Sequence, residues 1–547
     1  MRRSILHAPN PRPRPGAVPA VSSPRIRNAR RAFQSPRRSA RLLVAAGTVA
    51  LAACGDAPEP PAPSFRALFP AVTGPLMTQS SPALADLDGD GALDIVFGTG
   101  IDRVRPDPGR GRYTFGREPE VPGYTVAVSG ATNEVLWRAP NGGEAFTTPR
   151  FADLNGDGVP DVVMGGREGA LTARSGADGA LLWRVAPERV ARTPVPYNFL
   201  TPAAIDDADG DGVVDFLVVY GGDDTRLPGS PRDAGYIVAI SGADGAVLAA
   251  RRTPDGAESY ASIVVYTRAD GSDWLVFGTG GETHGGAAYR APVASVLDGS
   301  FAERVERLTE PGEKGVIAPA TIVELTADGE PDIAVSTFDG RLIVLDGATG
   351  RVLWQRRSEG EEAYHPPAVV RLSADGRLGL FLSRGIGAFP RYVGTIHRLY
   401  DAAGGELLFE FRDAHFPAGA PLAVDLNGDA VDEPVFFSTR YPIARGGRIH
   451  VLHVPTRSVL THDVAGNMAS TPAIADPRGA GELELIEPTW HIVQTDGPPD
   501  WRNLRWELLR LDLDAPPPPA RSWAGYMGTA GDGRYRPPAP GASGPGR

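Results

Sequence analysis

Apolar and acidic positions alternate in a pattern that repeats along most of the chain. Each copy opens on a small residue or Pro with a short apolar run, breaks at an Asp- and Gly-rich loop, and resumes with a run such as Ile95-Val96-Phe97. Short β-branched and aromatic runs bounded by turn residues predict strands. The fullest loop is Asp86-Leu87-Asp88-Gly89-Asp90-Gly91-Ala92-Leu93-Asp94, with further strong copies from Asp153, Asp207 and Asp425. Weaker copies follow Ser262, Ala318, Pro367 and Thr471, which makes eight.

A second unit alternates with the first. It is a hairpin with a turn such as Ser129-Gly130-Ala131-Thr132-Asn133, Ser175-Gly176, Ser241-Gly242 or Asp346-Gly347, and in three copies its last strand carries Trp137, Trp183 or Trp354. Gly with Asp or Asn in a three-to-five-residue connection is hairpin-turn chemistry. More degenerate copies lie near Leu297, Asp401, His453 and Leu511, again giving eight. Two hairpins make four strands, and successive acidic loops stand about 47 to 67 residues apart. Four strands per period of roughly this size signal a β-propeller, whose sheets bury their faces only by stacking on neighbours. The chain is therefore expected to be all-β, a single β-propeller over 65–516 with eight four-stranded blades, or seven if one degenerate unit is miscounted. A Trp at a repeated position argues for blade packing over a cofactor platform.

The composition changes sharply at the N-terminal end. Residues 1–53 hold eleven Arg and no Asp or Glu, followed by an apolar run over 42–53 that stops at Cys54. A basic region, a short apolar stretch and small residues before a cleavage point predict a secretory signal peptide, too short to span a bilayer. Leu51-Ala52-Ala53-Cys54 resembles the bacterial lipobox, which implies that Cys54 is lipidated and becomes the mature N-terminus. The basic region is long enough to suggest an over-extended start. Residues 54–64 are Pro-rich and predict an extended tether; 517–547 form a C-terminal tail expected to be disordered from about 531.

Without its leader the chain keeps 44 of its 55 basic residues against 66 acidic ones, a net charge of −22. Such a chain repels nucleic acid and attracts divalent cations. Cys54 is the sole cysteine, so no disulfide forms within the chain.

Acidic side chains at the first, third, fifth and ninth places, Gly at the sixth and a carbonyl at the seventh suit a hard cation with six or more oxygen ligands. An EF-hand is excluded, because the twelfth place is Phe97 and strands flank the loop. Four loops keep the set: Asp86, Asp88, Asp90, Ala92 and Asp94; Asp153, Asn155, Asp157, Val159 and Asp161; Asp207, Asp209, Asp211, Val213 and Asp215; Asp425, Asn427, Asp429, Val431 and Glu433, where Ala430 replaces the glycine. The pattern Ala-Asp-Leu-Asp-Gly-Asp-Gly before Asp-Ile-Val-Phe-Gly resembles the FG-GAP or VCBS repeat of integrin-α-type propellers, which implies Ca2+ at about four sites. The Trp-bearing hairpins resemble those of quinoprotein and outer-membrane-assembly propellers. Glu324, Thr326, Asp328 and Asp332 form a weaker set, the loop after Ala269 is a residue short, and Arg371 and Arg478 are expected to substitute for metal in theirs.

Catalytic motifs are scarce. There is no Gly-x-Ser-x-Gly elbow, phosphate loop or His-Glu-x-x-His. His450 and His453, three apart on a strand, face opposite sides. Gly278 to Gly286 form a glycine-rich loop in which Glu282 and His284 offer a ligand contact, against the plainer reading of a wide turn. The function expected is a lipid-anchored, calcium-stabilised binding or scaffold module for a protein or polysaccharide, a monomer held to the bacterial cell envelope as an outer-membrane or cell-surface lipoprotein. One alternative is a carbohydrate-active lyase or hydrolase, for which Glu282, His284 and His365 would gather at the central channel. The other, implied by the Trp hairpins, is a part in outer-membrane protein assembly.

Overall fold

The computed structural model describes residues 63–101, 104–107, 112–115, 123–167, 171–192, 197–223, 228–440, 446–493, 503–515 and 523–536. The leader, Cys54 and most of the tether lie outside the described residues. Eight antiparallel sheets of four strands follow one another along the chain, forming an all-β, eight-bladed propeller. Blade 1 consists of Ala83–Ala85, Asp94–Thr99, Tyr124–Val128 and Val135–Pro140. Blades 2 to 7 occupy 150–184, 198–252, 264–307, 321–357, 361–413 and 416–464.

The second and third strands of each blade are apolar on both faces because both faces are covered. Ile95, Val96 and Phe97 of blade 1 are wholly buried, as are Phe216 to Tyr220 of blade 3. The cores lie between neighbouring blades: Ala334, Val344 and Trp354 of blade 5 pack with Val369, Phe381 and Leu399 of blade 6. Fully burying one such side chain contributes about 1.5 to 3 kcal/mol, so stacking supplies what a lone sheet lacks.

Blade 8 departs from the expectation. Among the described residues no hairpin follows Leu511: the strand Leu504–Asp512 pairs instead with Arg66–Ala67 and Val72–Pro75 from the start of the domain, Arg66 opposite Asp512 and Val72 opposite Leu508. The N-terminal segment thus closes the ring. In blade 4 the turn near Leu297 is replaced by two short helices, Val293–Asp298 and Phe301–Arg304, which bury Val296 and Phe301. Gly299, in the left-handed region at φ +90°, ends the first helix.

The C-terminal tail also differs from its expectation. Residues 523–536 pack inside the ring against the first strands of blades 7, 8 and 5, and 531–536 among them run counter to the disorder expected from about 531. Trp523 and Ala423 exchange two backbone bonds of 2.9 Å, Ile474 donates to Ala524 at 2.8 Å, and Ile322 is paired with Gly533 and Tyr535 at 2.7 and 2.8 Å. Ala423, Ile474 and Ile322 belong to the first strands of blades 7, 8 and 5, whose inner edges would otherwise turn unpaired peptide groups into the channel. The apolar Trp523 and Met527 join the inter-blade cores. The tail is retained by pairing and by burial, neither of which its Pro- and Gly-rich composition reveals.

In a four-stranded meander the turns after the first and third strands share one end, while the turn after the second and the link to the next blade share the other. The acidic loops therefore all stand on one face, together with the Gly-bearing turns.

Candidate sites on the two faces of the propeller

On the acidic-loop face each strong loop is a self-bonded coil around its first carboxylate. Asp86 accepts from the backbone of Gly89 and Gly91, Asp153 from Gly156 and Gly158, Asp207 from Gly210 and Gly212, and Asp425 from Gly428 and Ala430, all at 2.7 to 3.1 Å. Those bonds favour the charged form and hold Asp207 below the usual carboxylate range. Ala430 adopts φ +68°, the left-handed conformation that glycine takes at the sixth place of the other strong loops. Carboxylate oxygens of Asp86, Asp88 and Asp90 lie within 4.8 Å of one another, as do those of Asp207, Asp209 and Asp215. In blade 2 the Asn155 amide is within reach of Asp157 and Asp161, so the loop partly satisfies itself.

The ninth residue has a second task. Asp94 accepts from Leu87 at 2.8 Å and from Gly130 in the hairpin turn at 3.0 Å. Asp161 does the same with Leu154 and Gly176, Asp215 with Ala208 and Gly242, and Asp332 with Leu325 and Gly347. These Asp side chains are wholly buried. Burial pushes Asp94 and Asp161 up despite the N–H groups that favour their charge. In these four blades one carboxylate ties the acidic loop to the turn beside it.

The degenerate loops use arginine. Arg478, at the third place in blade 8, reaches the ninth-place Glu484 at 3.1 Å, a cation inside the loop as expected. Arg371 instead crosses to the next blade, bonding Asp432 at 2.6 Å and standing 3.6 Å from Asp425. Arg268 in the short loop of blade 4 makes the equivalent crossing to Glu330 of blade 5.

The recurrent tryptophans are joints between blades. Trp137 donates its indole N–H to Gly176, Trp183 to Gly242 and Trp354 to Ala402, each at 2.7 Å and each in the turn of the following blade. Each ring lies against a left-handed glycine: Gly179, Gly245 or Gly405.

The opposite face carries a funnel with a cavity volume of about 590 Å³ and walls from all eight blades. Tyr526 of the C-terminal tail lines it; Phe146, Tyr364, Tyr392 and Trp490 supply further aromatic surface, and Arg167, Arg232 and Arg440 supply positive charge. Glu282 and His365 also line it, whereas His284 sits behind the rim with Nδ1 3.1 Å from Thr283 Oγ1 and 3.6 Å from Glu258. Burial and the Arg232 charge push His284 below its ordinary value. Glu258 is 3% exposed, and burial raises it to about 7 in spite of Arg232 at 3.6 Å. His365, desolvated, is lowered to about 4, so it stands neutral on the wall. Across the cavity Tyr392 donates to Glu362 at 2.5 Å and lies 3.2 Å from the Tyr364 hydroxyl, while Lys314 pairs with Glu362. Glu282 was legible from its glycine-rich loop; Arg167, Arg232, Glu258, Tyr364 and Tyr392 were not, because they sit in connections that differ from blade to blade.

A buried polar cluster between blades 6 and 7 superficially resembles a catalytic triad. Asp413 accepts from Ser438 at 2.6 Å and lies 3.1 Å from His450 Nε2, and Ser438 is 3.2 Å from the same nitrogen. Serine and carboxylate thus compete for one ring nitrogen, and the other binds Thr461 at 2.9 Å, so no proton relay from serine to carboxylate exists. His450 faces inward here while His453 faces the acidic loops, opposite sides as their spacing requires.

Among the described residues no helix is long and apolar enough to cross a membrane. The sequence matches no protein-family model and no curated protein. Among solved structures the chain is similar to the quinohemoprotein alcohol dehydrogenase of Comamonas testosteroni, with a TM-score of 0.51 and 11% identity over 81% of this chain and 76% of that one. It is likewise similar to a europium-containing methanol dehydrogenase, at 0.50 and 10% over 81% and 93%. BamB from Moraxella catarrhalis aligns at 0.46 and 12% over 82% and 98%. At these identities the likeness is one of fold.

Proposed function

We propose that this protein is an extracytoplasmic binding scaffold, lipid-anchored through Cys54 to the bacterial cell envelope, that takes a protein or polysaccharide on its funnel face. The carrying observation is the funnel itself: a concave, aromatic- and arginine-rich cavity assembled from every blade and lined in part by Tyr526 of the tail. Concave sites with apolar walls and a few placed polar groups are where propeller ligands gain affinity, and the connecting loops write their specificity. In this reading the loops of Asp86, Asp153 and Asp207 hold Ca2+ on the opposite face, a role supported by converging oxygens in blades 1 and 3. Calcium there clamps each of these blades and leaves the funnel free for its ligand.

The test is capture of partners from solubilised envelopes, and of polysaccharides on an array, by the lipid-free domain and by Tyr364→Ala and Trp490→Ala variants. Loss of one ligand in both variants, with parent-like circular dichroism at the assay temperature, supports the reading. Ligand retained by both variants refutes it. A second reading, a carbohydrate-active lyase or hydrolase, is favoured by one observation: Glu282 and His365 share the cavity, with Glu258 behind it at about 7. Cleavage of an array-positive polysaccharide that Glu282→Gln abolishes would select it over the scaffold.

A further inference from the structure

Blade 7 keeps the acidic loop but changes what faces it. In blades 1, 2 and 3 the hairpin turn begins at Ser129, Ser175 and Ser241, each accepting a backbone bond from the residue four further on. His453 holds that place in blade 7, where Arg457 donates to its carbonyl at 2.8 Å. Ser241 Oγ stands 3.4 Å from Asp211, the fifth residue of its loop. The repeat therefore carries an imidazole to the fifth-place carboxylate of blade 7, which is Asp429. The structure bears this out: one ligand atom each from Asp429, Glu433 and His453 lie within 4.8 Å of one another.

Three further differences set this loop apart from those of blades 1 to 3. Asp425, at the first place, already has the Arg371 guanidinium 3.6 Å away, so the carboxylate that would anchor a hard cation is partly neutralised. Glu433, one methylene longer than the ninth-place Asp of blades 1, 2, 3 and 5, is 4% exposed and takes Leu426 and the Asn427 amide, both at 2.9 Å, with no bond to the turn. The His453 ring is oriented from behind: Nδ1 is 2.7 Å from Thr456 Oγ1, which lies 2.8 Å from Ser458 Oγ. With Nδ1–H donating to Thr456 and the threonine hydroxyl passing on to Ser458, the Nε2 lone pair is left for an ion. Such an outer hydrogen bond fixes the tautomer of a metal-binding histidine.

The geometry points to a transition-metal site in blade 7, with Asp429, Glu433 and His453 binding a zinc-class cation in preference to calcium. One imidazole and two carboxylates suit Zn2+ as a borderline acid, whereas calcium takes oxygen ligands in larger number. Exposed Asp429 leaves the fourth position open to water. The inference stands apart from the funnel reading, whose variants do not touch this loop.

The test uses the full chain stripped with chelator and titrated with Zn2+, Co2+ and Ca2+ by calorimetry and visible absorption. His453→Ser, which restores the residue of blades 1 to 3, should fold as the parent does. Compared with the parent it should lose about one zinc equivalent, lose the cobalt d–d band of a nitrogen-containing site, and weaken zinc at least tenfold. Zinc-edge X-ray absorption of the parent should show one imidazole. Identical zinc stoichiometry and cobalt spectrum in parent and variant would overturn the proposal, as would a parent site that binds calcium no more weakly than zinc.

Discussion

The indole of Trp183 is the clearest place to test what holds adjacent blades together. It is buried on the last strand of blade 2, donates to the Gly242 carbonyl at 2.7 Å, and covers Gly245, which sits at φ +73°. Trp183→Phe removes the donor and leaves a buried carbonyl unpaired, about 1 to 3 kcal/mol; Trp183→Ala also opens a cavity, for about 3 to 5 kcal/mol in all. Gly245→Ala attacks the same joint from the other side. Its new Cβ would lie 2.8 Å from Trp183 Cε3, closer than carbon atoms pack, and its left-handed backbone costs a further ~1 to 2 kcal/mol. Because both changes act on one contact, Trp183→Phe with Gly245→Ala should cost less than the sum, by at least ~0.5 kcal/mol. Leu181→Ala is the control: on the same strand but 53% exposed, it should shift stability by no more than about 0.5 kcal/mol. Equilibrium urea unfolding followed by far-ultraviolet circular dichroism reads all of these without relying on tryptophan emission. Strict additivity, or a Trp183→Phe midpoint equal to the control's, would refute the view that the indole is a joint.

Three other outcomes follow from the geometry. Arg371→Ala strands the wholly buried Asp432 carboxylate and should destabilise by about 3 to 5 kcal/mol, whereas Arg377→Ala, an exposed pair with Asp401, should cost under about 1 kcal/mol in the same denaturation assay. Removal of residues 523–547 should speed hydrogen exchange at Thr321–Val323, Leu422–Val424 and Ala473–Ala475, whose inner edges the tail covers; unchanged protection in mass spectrometry would contradict that placement. His397, buried beside His450, is held well below its ordinary value, so the unfolded chain binds its proton first as pH falls. Its contribution to stability is present above the unfolded-state value near pH 6.5 and is lost progressively as pH falls below it, and the difference between parent and His397→Asn in pH-dependent melting should show that direction.

What the sequence made legible is whatever the repeat had to preserve. The four-strand period, the acidic loops and the three tryptophans recur because each blade must bury its faces and join its neighbour in the same way, and eight blades are indeed what forms. The ninth-place aspartates, expected as metal ligands, also serve as buried ties to the hairpin turn, a role visible only when the turn is folded against the loop. Arg268 and Arg371 lie in loops that read as degenerate, and their partners are 62 and 61 residues downstream in the next blade. Funnel residues carried no signal for a different reason. A wall built from single contributions of eight unlike loops has no period, so only Glu282, flagged by its glycines, and His365, beside its prolines, stood out among the lining residues. Residues 531–536 escape the disorder expected of them because their order comes from peptide groups and pockets supplied by the blades rather than from the tail's own composition.

The closure of blade 8 by the N-terminal strands bears on how the chain is made. Arg66 cannot meet Asp512 until ribosome and, for an exported chain, translocation machinery have delivered residues 446 positions apart. Seven blades can assemble in order while both ends of the arc still display open apolar blade faces, the state most prone to associate with another copy. Joining ends at that separation carries a loop-entropy cost of about 5 kcal/mol when nothing between them is folded, and less with each blade already in place. Blade-by-blade growth thus lowers the barrier to its own last step. A circular permutant with new ends between blades 1 and 2 and a short link from 536 to 64 would leave the same ring to be sealed elsewhere, whereas one opened between Pro75 and Ala83 would turn the seal into a local hairpin and should refold faster with less aggregation.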